Sequence, residues 1–366
     1  MEFIKPGINI NFVGSRRIAY VVSVALILVA VISLLIHRGP NWGVDFTGGL
    51  LVQVQFKEQT SPGEIRSGLV SVGMQDSIIQ SFGASDQNEY LIRTGQEQED
   101  IELEGLAQKV QNSLEKKFPK GSFEIRRVDM VGPKVGKDLR NKALFAVFYA
   151  ILFIVIYISG RFELKWLMSI AVAAVLAAAV YVTTMLGMGV TILILTALLV
   201  TLVVCFIFKL KYALGAIVAL IHDVTITVGI FSILNLEVSL SIVAAILTIV
   251  GYSLNDTIII FDRIRENLKK FRRQSLDEII NTSINDCLSR TILTSGTTLT
   301  VVICLYFLGG PVIADFALAI IIGVLIGTYS SIYVASPILL IWPPDVPVGK
   351  SKAKANKKNK GKKRKG

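Results

Sequence analysis

Four positions carry ionisable side chains in or beside stretches otherwise suited to lipid. His222 and Asp223 sit within Ala213–Leu234, Asp256 within Val238–Phe261, and Arg290 directly before Thr291–Leu308. A charge at a helix centre costs roughly 2.5–3.5 kcal/mol on the insertion scale, so such residues are rarely accidental. The chemistry they suit is proton transfer. At helical spacing Thr248, Tyr252 and Asp256 share one face, as do Arg290, Thr294 and Thr298. A carboxylate opposite an arginine beside hydroxyls makes a proton relay, because protonating Asp256 frees Arg290 from its pair. The same two residues also read as a structural intramembrane salt bridge, and Arg290 alone as a side chain snorkelling to the interface. Asp223, the most central, reads either as part of the relay or, with His222, as a partner in packing hydrogen bonds.

The elements that position these residues are membrane spans. Hydrophobic residues make up 52% of the 366, charged residues 18%, and the mean hydropathy is +0.61. Those values lie well outside the range of an ordinary soluble domain. A bilayer core needs about 20 apolar residues per helix. Ile18–Ile36 meets that length after Arg16 and Arg17, and no small-x-small cleavage pattern follows it, so it is expected to be an uncleaved first span. Ala143–Ser159 follows. The uncharged run Trp166–Phe208 would make a helix of about 65 Å, twice the membrane, so it must fold back, with Gly187-Met188-Gly189 as the turn. Ala213–Leu234, Val238–Phe261, Thr291–Leu308 and Phe316–Ile341 complete an expected eight.

Basic residues set the orientation. With the N-terminus in the cytoplasm, Arg16, Arg17, Arg161, Lys165, Lys209, Lys211, a basic loop from Asp262 to Arg290 and the tail after Pro347 all fall inside. The three short outer loops carry no Lys or Arg. The formal net charge of +11 arises mainly from Lys350–Gly366, which holds nine Lys and Arg364 and no acid. A block of like charges reads as a solvated, disordered tail. Anionic membrane lipid, or ribosomal RNA, is the partner such a tail could attract; no other nucleic-acid contact is expected. Cys205, Cys287 and Cys304 have no disulfide or metal-ligand spacing, and with only two histidines neither a metal site nor any cofactor is expected.

Between the first two spans lies an expected extracytoplasmic domain. Leu50–Phe56 alternates as a strand, and Ser61-Pro62-Gly63-Glu64 opens a helix in capping-box form. Ser77–Phe82 and Glu89–Arg93 read as a hairpin around residues 84–88, Asp100–Phe118 as a helix and Phe123–Val131 as a last strand. The order β-α-β-β-α-β predicts a ferredoxin-like unit. It lacks clustered His, Cys or paired acids, so it reads as a binding or moving part, and the chain is not expected to be an enzyme. The expected division is 1–37, N-terminus and first span; 38–142, outer domain; 143–342, bundle; and 343–366, tail.

The chain resembles the SecF family of bacterial protein-export subunits, within the resistance-nodulation-division superfamily. The resemblance rests on Gly43-Val44-Asp45-Phe46-Thr47-Gly48-Gly49, Val131-Gly132-Pro133 and Ala219-Leu220-Ile221-His222-Asp223. It continues in Leu247-Thr248-Ile249-Val250-Gly251-Tyr252-Ser253-Leu254-Asn255-Asp256-Thr257, Phe261-Asp262-Arg263-Ile264-Arg265-Glu266-Asn267, Ser289–Ser295 and Gly327–Ser331. These matches are spread over most of the chain. The resemblance implies use of the proton-motive force to help draw exported preproteins across the bacterial inner membrane, with SecD and the SecYEG channel as partners. It carries the proton pathway onto Asp256 and Arg290, with Thr294 beside the Arg, and marks Asp45, Gly48, Gly49 and Asn255 as motif residues.

The family has six spans. Here Phe162-Glu163-Leu164-Lys165-Trp166 and Phe208-Lys209-Leu210-Lys211-Tyr212 look alike, which suggests a local duplication that inserted one helical hairpin near 166–208. Six spans plus a hairpin leave the downstream topology unchanged. Two other readings are weaker. A small-molecule or lipid exporter of the superfamily would carry two outer domains and about twelve spans. An aspartyl protease built on Asp223 and Asp256 would need Tyr-Asp and Gly-x-Gly-Asp motifs, both absent.

Overall fold

The structure, a computed structural model, describes residues 8–70, 74, 77–82, 88–94, 105–119, 121–163, 166–186, 189–271 and 273–341. The basic tail, the centre of the Gly187–Gly189 turn, the 84–87 turn and the start of the helix expected from Asp100 lie outside them.

Among the described residues six helices are long and apolar enough to cross a membrane. They are α1 (Arg16–Ile36), α5 (Pro133–Glu163), α8 (Lys211–Ile233), α9 (Leu240–Lys270), α10 (Leu276–Leu308) and α11 (Pro311–Ser330), the last continued through a π-helical turn, Ser331–Ala335. The widened turn precedes Pro337, whose ring removes an N–H donor; the Ser336 hydroxyl donates instead to the Ser331 carbonyl at 2.7 Å. The region expected to form a hairpin is two helices, α6 (Trp166–Met185) and α7 (Val190–Ile207), with shorter apolar stretches at Ala174–Thr183 and Ile192–Ile207.

One expectation is corrected. Asp262–Arg290 is not a loop: α9 runs on to Lys270 and α10 begins at Leu276. Charges there occupy one side of each helix, while Ile264, Leu268, Ile279, Ile280 and Ile284 are buried together on the other. A capping box, Ser275 with Glu278, starts α10. The N-terminal segment is strapped to it. Asn285 accepts from the Ile10 amide at 2.9 Å, and Asn281 and Asn285 both donate to the Ile10 carbonyl.

At the other end of the bundle stands the sheet domain. Its strands are β1 (Gly49–Phe56), β2 (Ile78–Phe82), β3 (Glu89–Thr94) and β4 (Phe123–Val131), with α3 (Pro62–Leu69) between β1 and β2, and α4 (Leu106–Lys117) between β3 and β4. All pairings are antiparallel, in the order β2-β3-β1-β4. The expected capping box at Ser61 and Glu64 is present. Alternation along β1 sends Leu50, Val52, Val54 and Phe56 into a core with Ile65, Leu69, Val110 and Leu114. The opposite face contributes Leu51, Gln53, Gln80, Leu91, Arg127 and Asp129 to a cavity of about 880 Å³ above the helix ends.

A four-residue helix, α2 (Val44–Thr47), precedes β1 and was not foreseen. One turn is too short to show a periodicity.

Candidate intramembrane carboxylate sites

Two buried carboxylates lie one turn apart in the packing of α8, α9 and α11, and their surroundings are opposite. Asp223 is fully satisfied. Its Oδ2 accepts from the Ser253 and Ser330 hydroxyls at 2.6 and 2.8 Å, and its Oδ1 lies 2.9 Å from His222 Nδ1. With Nδ1–H donating to the carboxylate, His222 Nε2 is left to accept from the Ser23 hydroxyl at 3.2 Å. Ser23 in turn lies 3.2 Å from the Tyr329 hydroxyl, which donates to the Ala19 carbonyl. Four helices, α1, α8, α9 and α11, meet at this network. Its serines matter twice, since small side chains let the helices approach as well as supplying hydroxyls.

Asp256 has no such support. It is 1% exposed, and neither carboxylate oxygen is hydrogen-bonded. The groups that act on it are the hydroxyls of Ser295 on α10 and Thr328 on α11, with Arg290 as the nearby positive charge. Those two hydroxyls bond to each other at 2.8 Å. Within the spans three further hydroxyls are buried without a partner: Ser159 on α5, and beside Asp256 those of Tyr252, one turn before it on α9, and Thr291, one turn before Ser295 on α10. Buried polar groups are almost always hydrogen-bonded, and a set left bare in one seam marks a place for water or for a transferred proton. Tyr252 packs against the same buried cluster as Leu299, a cluster that contains Val324, and Leu299 and Val324 lie one turn from Ser295 and Thr328 on their helices. The unpartnered groups beside Asp256 therefore follow one another along the bundle axis.

The expected ion pair is not formed. No salt bridge joins Asp256 to Arg290, and Arg290 is exposed. Thr294 bonds back to the carbonyls of Arg290 and Thr291 at 3.0 Å rather than turning to Asp256. The physical reason is helical phase. The face of α10 turned toward α9 and α11 carries Thr291, Ser295 and Val302, each buried, and Arg290 and Thr294 sit one residue, about 100°, away from it. Ser295 and Thr328 are the neighbours that spacing from Arg290 did not find. Asn255, next to Asp256, is exposed.

The glycine-rich motif lies far from these carboxylates, where the sheet domain meets the bundle. Asp45 on α2 accepts from the Leu240 amide, the first of α9, at 2.9 Å. Phe46 is buried against Ala143, Phe231, Val238 and Ile242. Gly48, at φ +74°, passes so close to Pro133 that a Cβ there would lie 2.7 Å from its Cα. Gly49 begins β1 opposite Val131. Among the described residues no group of His, Cys, Asp and Glu is placed to hold a metal ion.

Comparison with known proteins identifies the family. The family described as protein export membrane protein SecD/SecF, C-terminal, matches residues 109–192 and 183–344, and the SecD/SecF GG motif matches residues 33–60. Protein translocase subunit SecF of Desulfurispirillum indicum is 41% identical over 342 residues, 92% of each chain. That of Vibrio alginolyticus is 37% identical over 93% of this chain and 91% of its own. Among solved structures, SecDF from Thermus thermophilus, a translocon-associated membrane protein, is 31% identical with a TM-score of 0.67. It matches 92% of this chain but only 39% of its own, so this chain spans about two fifths of a SecDF polypeptide. A SecDF structure in super-membrane-facing form gives 30% identity and a TM-score of 0.54. With a family model over most of its length and relatives of near-equal length, the chain belongs to the SecF family of protein translocase subunits.

Proposed function

We propose that this chain couples proton movement through its membrane helices to the movement of exported preproteins, working with SecD beside the SecYEG channel. The observation that carries the reading is Asp256: a buried carboxyl among helices with neither oxygen bonded, in a seam with the unpartnered hydroxyls of Tyr252 and Thr291. A group so placed serves better as a proton carrier than as glue between helices. The hydroxyls of Ser295 and Thr328 are the first partners of the carboxylate when it forms. Arg290 supplies the positive charge that compensates it, and Thr294 fixes the backbone beside Arg290 through its hydrogen bonds. Asp223 takes the packing role, holding α9 and α11 in register around Asp256.

The driving force is sufficient. A membrane potential supplies about 2.3 kcal/mol per charge per 100 mV. Since about 1.4 kcal/mol is tenfold in an equilibrium, one proton biases a domain movement by more than tenfold. The moving part is the sheet domain, which we take as a ferredoxin-like unit on the outer side; its strand order supports that reading. Both termini lie in the cytoplasm of a bacterial cell with the chain in its inner membrane, and the basic tail meets anionic lipid there. Helices α6 and α7 form an inserted hairpin, giving eight crossings.

The test is export of a secreted substrate out of energised vesicles that contain the full complex with its cytoplasmic side facing the lumen. Asp256→Asn is expected to abolish stimulation by the proton gradient while ATP-driven export continues. Stimulation undiminished by that change would show that Asp256 is not the coupling group.

A further inference from the structure

The helix that bears Asp256 begins at the sheet domain, and its first turn is not capped by its own sequence. Ser239, at the N-cap of α9, makes no capping hydrogen bond; its hydroxyl is 2.7 Å from that of Ser241 instead. The amide of Leu240 is met by Asp45, from 195 positions earlier in the chain. A carboxylate at that place answers both an orphan N–H and the positive end of the helix dipole. Around it the backbones are laced together. The Val238 amide donates to the Asn41 carbonyl at 2.7 Å, and the Gly43 amide donates to the Val238 carbonyl at 2.9 Å. Beside them Arg93 of β3 forms a largely buried ion pair with Glu237, just before α9. Burial pushes the Arg93 guanidinium below its ordinary value.

Together with the close packing of α2 on the start of α5, where Gly48 meets Pro133 and Gly136 meets Phe46, these contacts hold one side of the domain. Across the rest of the junction the sheet stands off the bundle over the cavity of about 880 Å³, with Leu51 and Gln80 on the sheet side and Tyr306, Phe307 and Asp315 on the other. A domain fixed along one side, with open space under its remaining face, can tilt about that side. The fixed side includes the first turn of α9, sixteen residues along the same helix from Asp256, about 24 Å at ~1.5 Å per residue.

We propose that Asp45 is the coupling residue of this protein: by capping α9 from the sheet domain, it ties that domain's tilt to the movement of the helix that carries Asp256. This rests on the proton-coupling role of Asp256 given above. Asp45 is a positioning residue and handles no proton. The role needs an acceptor at its side-chain oxygen rather than a negative charge, and asparagine caps helices about as well as aspartate.

The experiment uses the full complex with SecD in energised vesicles and reads two quantities together, gradient-stimulated export and proton entry. Asp45→Ala is expected to reduce stimulation at least tenfold while proton entry continues, and Asp45→Asn to retain both. Asp256→Asn in the same vesicles is expected to lose both. Stimulated export retained in Asp45→Ala would overturn the coupling role. So would loss of proton entry along with export in Asp45→Ala, or loss of stimulation in Asp45→Asn. If Asp256→Asn alone keeps stimulated export, it is the proton-coupling reading that fails.

Discussion

A carboxylate that three donors already satisfy and one that none does respond differently to the same substitution. Asp223 takes hydrogen bonds from Ser253 and Ser330 and faces His222, so its loss leaves buried hydroxyls and a ring nitrogen without their acceptor. Hydrogen bonds to a charged group contribute about 1.5–3 kcal/mol each, and an orphaned buried donor costs a similar amount. Asp223→Asn is therefore expected to lower thermal stability in detergent by about 2 kcal/mol or more. Asp256→Asn breaks no hydrogen bond of ordinary geometry, since the nearby Ser295 and Thr328 hydroxyls bond to each other, and is expected to melt with the parent chain. Equal destabilisation by the two would place Asp256 in a structural role. The contrast also decides between readings that composition leaves open, since both residues are buried acids near the middle of apolar helices.

At the scale of elements, the seam depends on how closely α9 and α11 approach. A Cβ on Gly323 would lie 2.3 Å from Ile249, and one on Gly327 would lie 2.9 Å from Ser253. Glycines four apart on one helix thus receive side chains four apart on the other, as close-packed membrane helices do. Overpacking such a contact costs typically 1–3 kcal/mol. Gly327→Val is expected to spread the two helices, moving Thr328 from Asp256 and Ser330 from Asp223. Stimulated export should fall together with thermal stability; unchanged values of both would mean that the close approach carries no function. Much of this layer was legible in the sequence. Six of the expected spans are helices long and apolar enough to cross a membrane, the alternation in Leu50–Phe56 gave a strand, and Ser61 with Glu64 gave a helix start. Misreadings arose where a local pattern has two meanings. Charges between Asp262 and Arg290 looked like a loop but are the solvated side of two helices that continue past the apolar region. Arg290 looked like a direct ion-pair partner of Asp256, but helical phase turns Thr291 and Ser295 inward and leaves Arg290 as a nearby charge. The cap from Asp45 to Leu240 could not be read at all, because it joins residues 195 positions apart through a helix of one turn.

At the scale of the whole molecule, the parts divide by what they touch. The N-terminal strap, the α9–α10 extension and its ion pairs, such as Arg263 with Asp286, hold the end away from the sheet domain. Helices α6 and α7 pack chiefly against α5 and α8, to one side of the Asp256 seam. Helix α10 presents Ile292, Leu293, Val301 and Ile303 to the outside along with Arg290. SecDF polypeptides are more than twice this long, and this chain matches about two fifths of each. In the proposed coupling, protons entering down the gradient pass through Asp256. Its most direct test is proton entry into proteoliposomes holding the full complex, followed with an internal pH dye while a substrate is exported. Asp256→Asn should reduce gradient-driven entry to the level of liposomes without protein, with complex assembly and melting temperature unchanged. Entry continuing at the parent rate in that variant would contradict the claim.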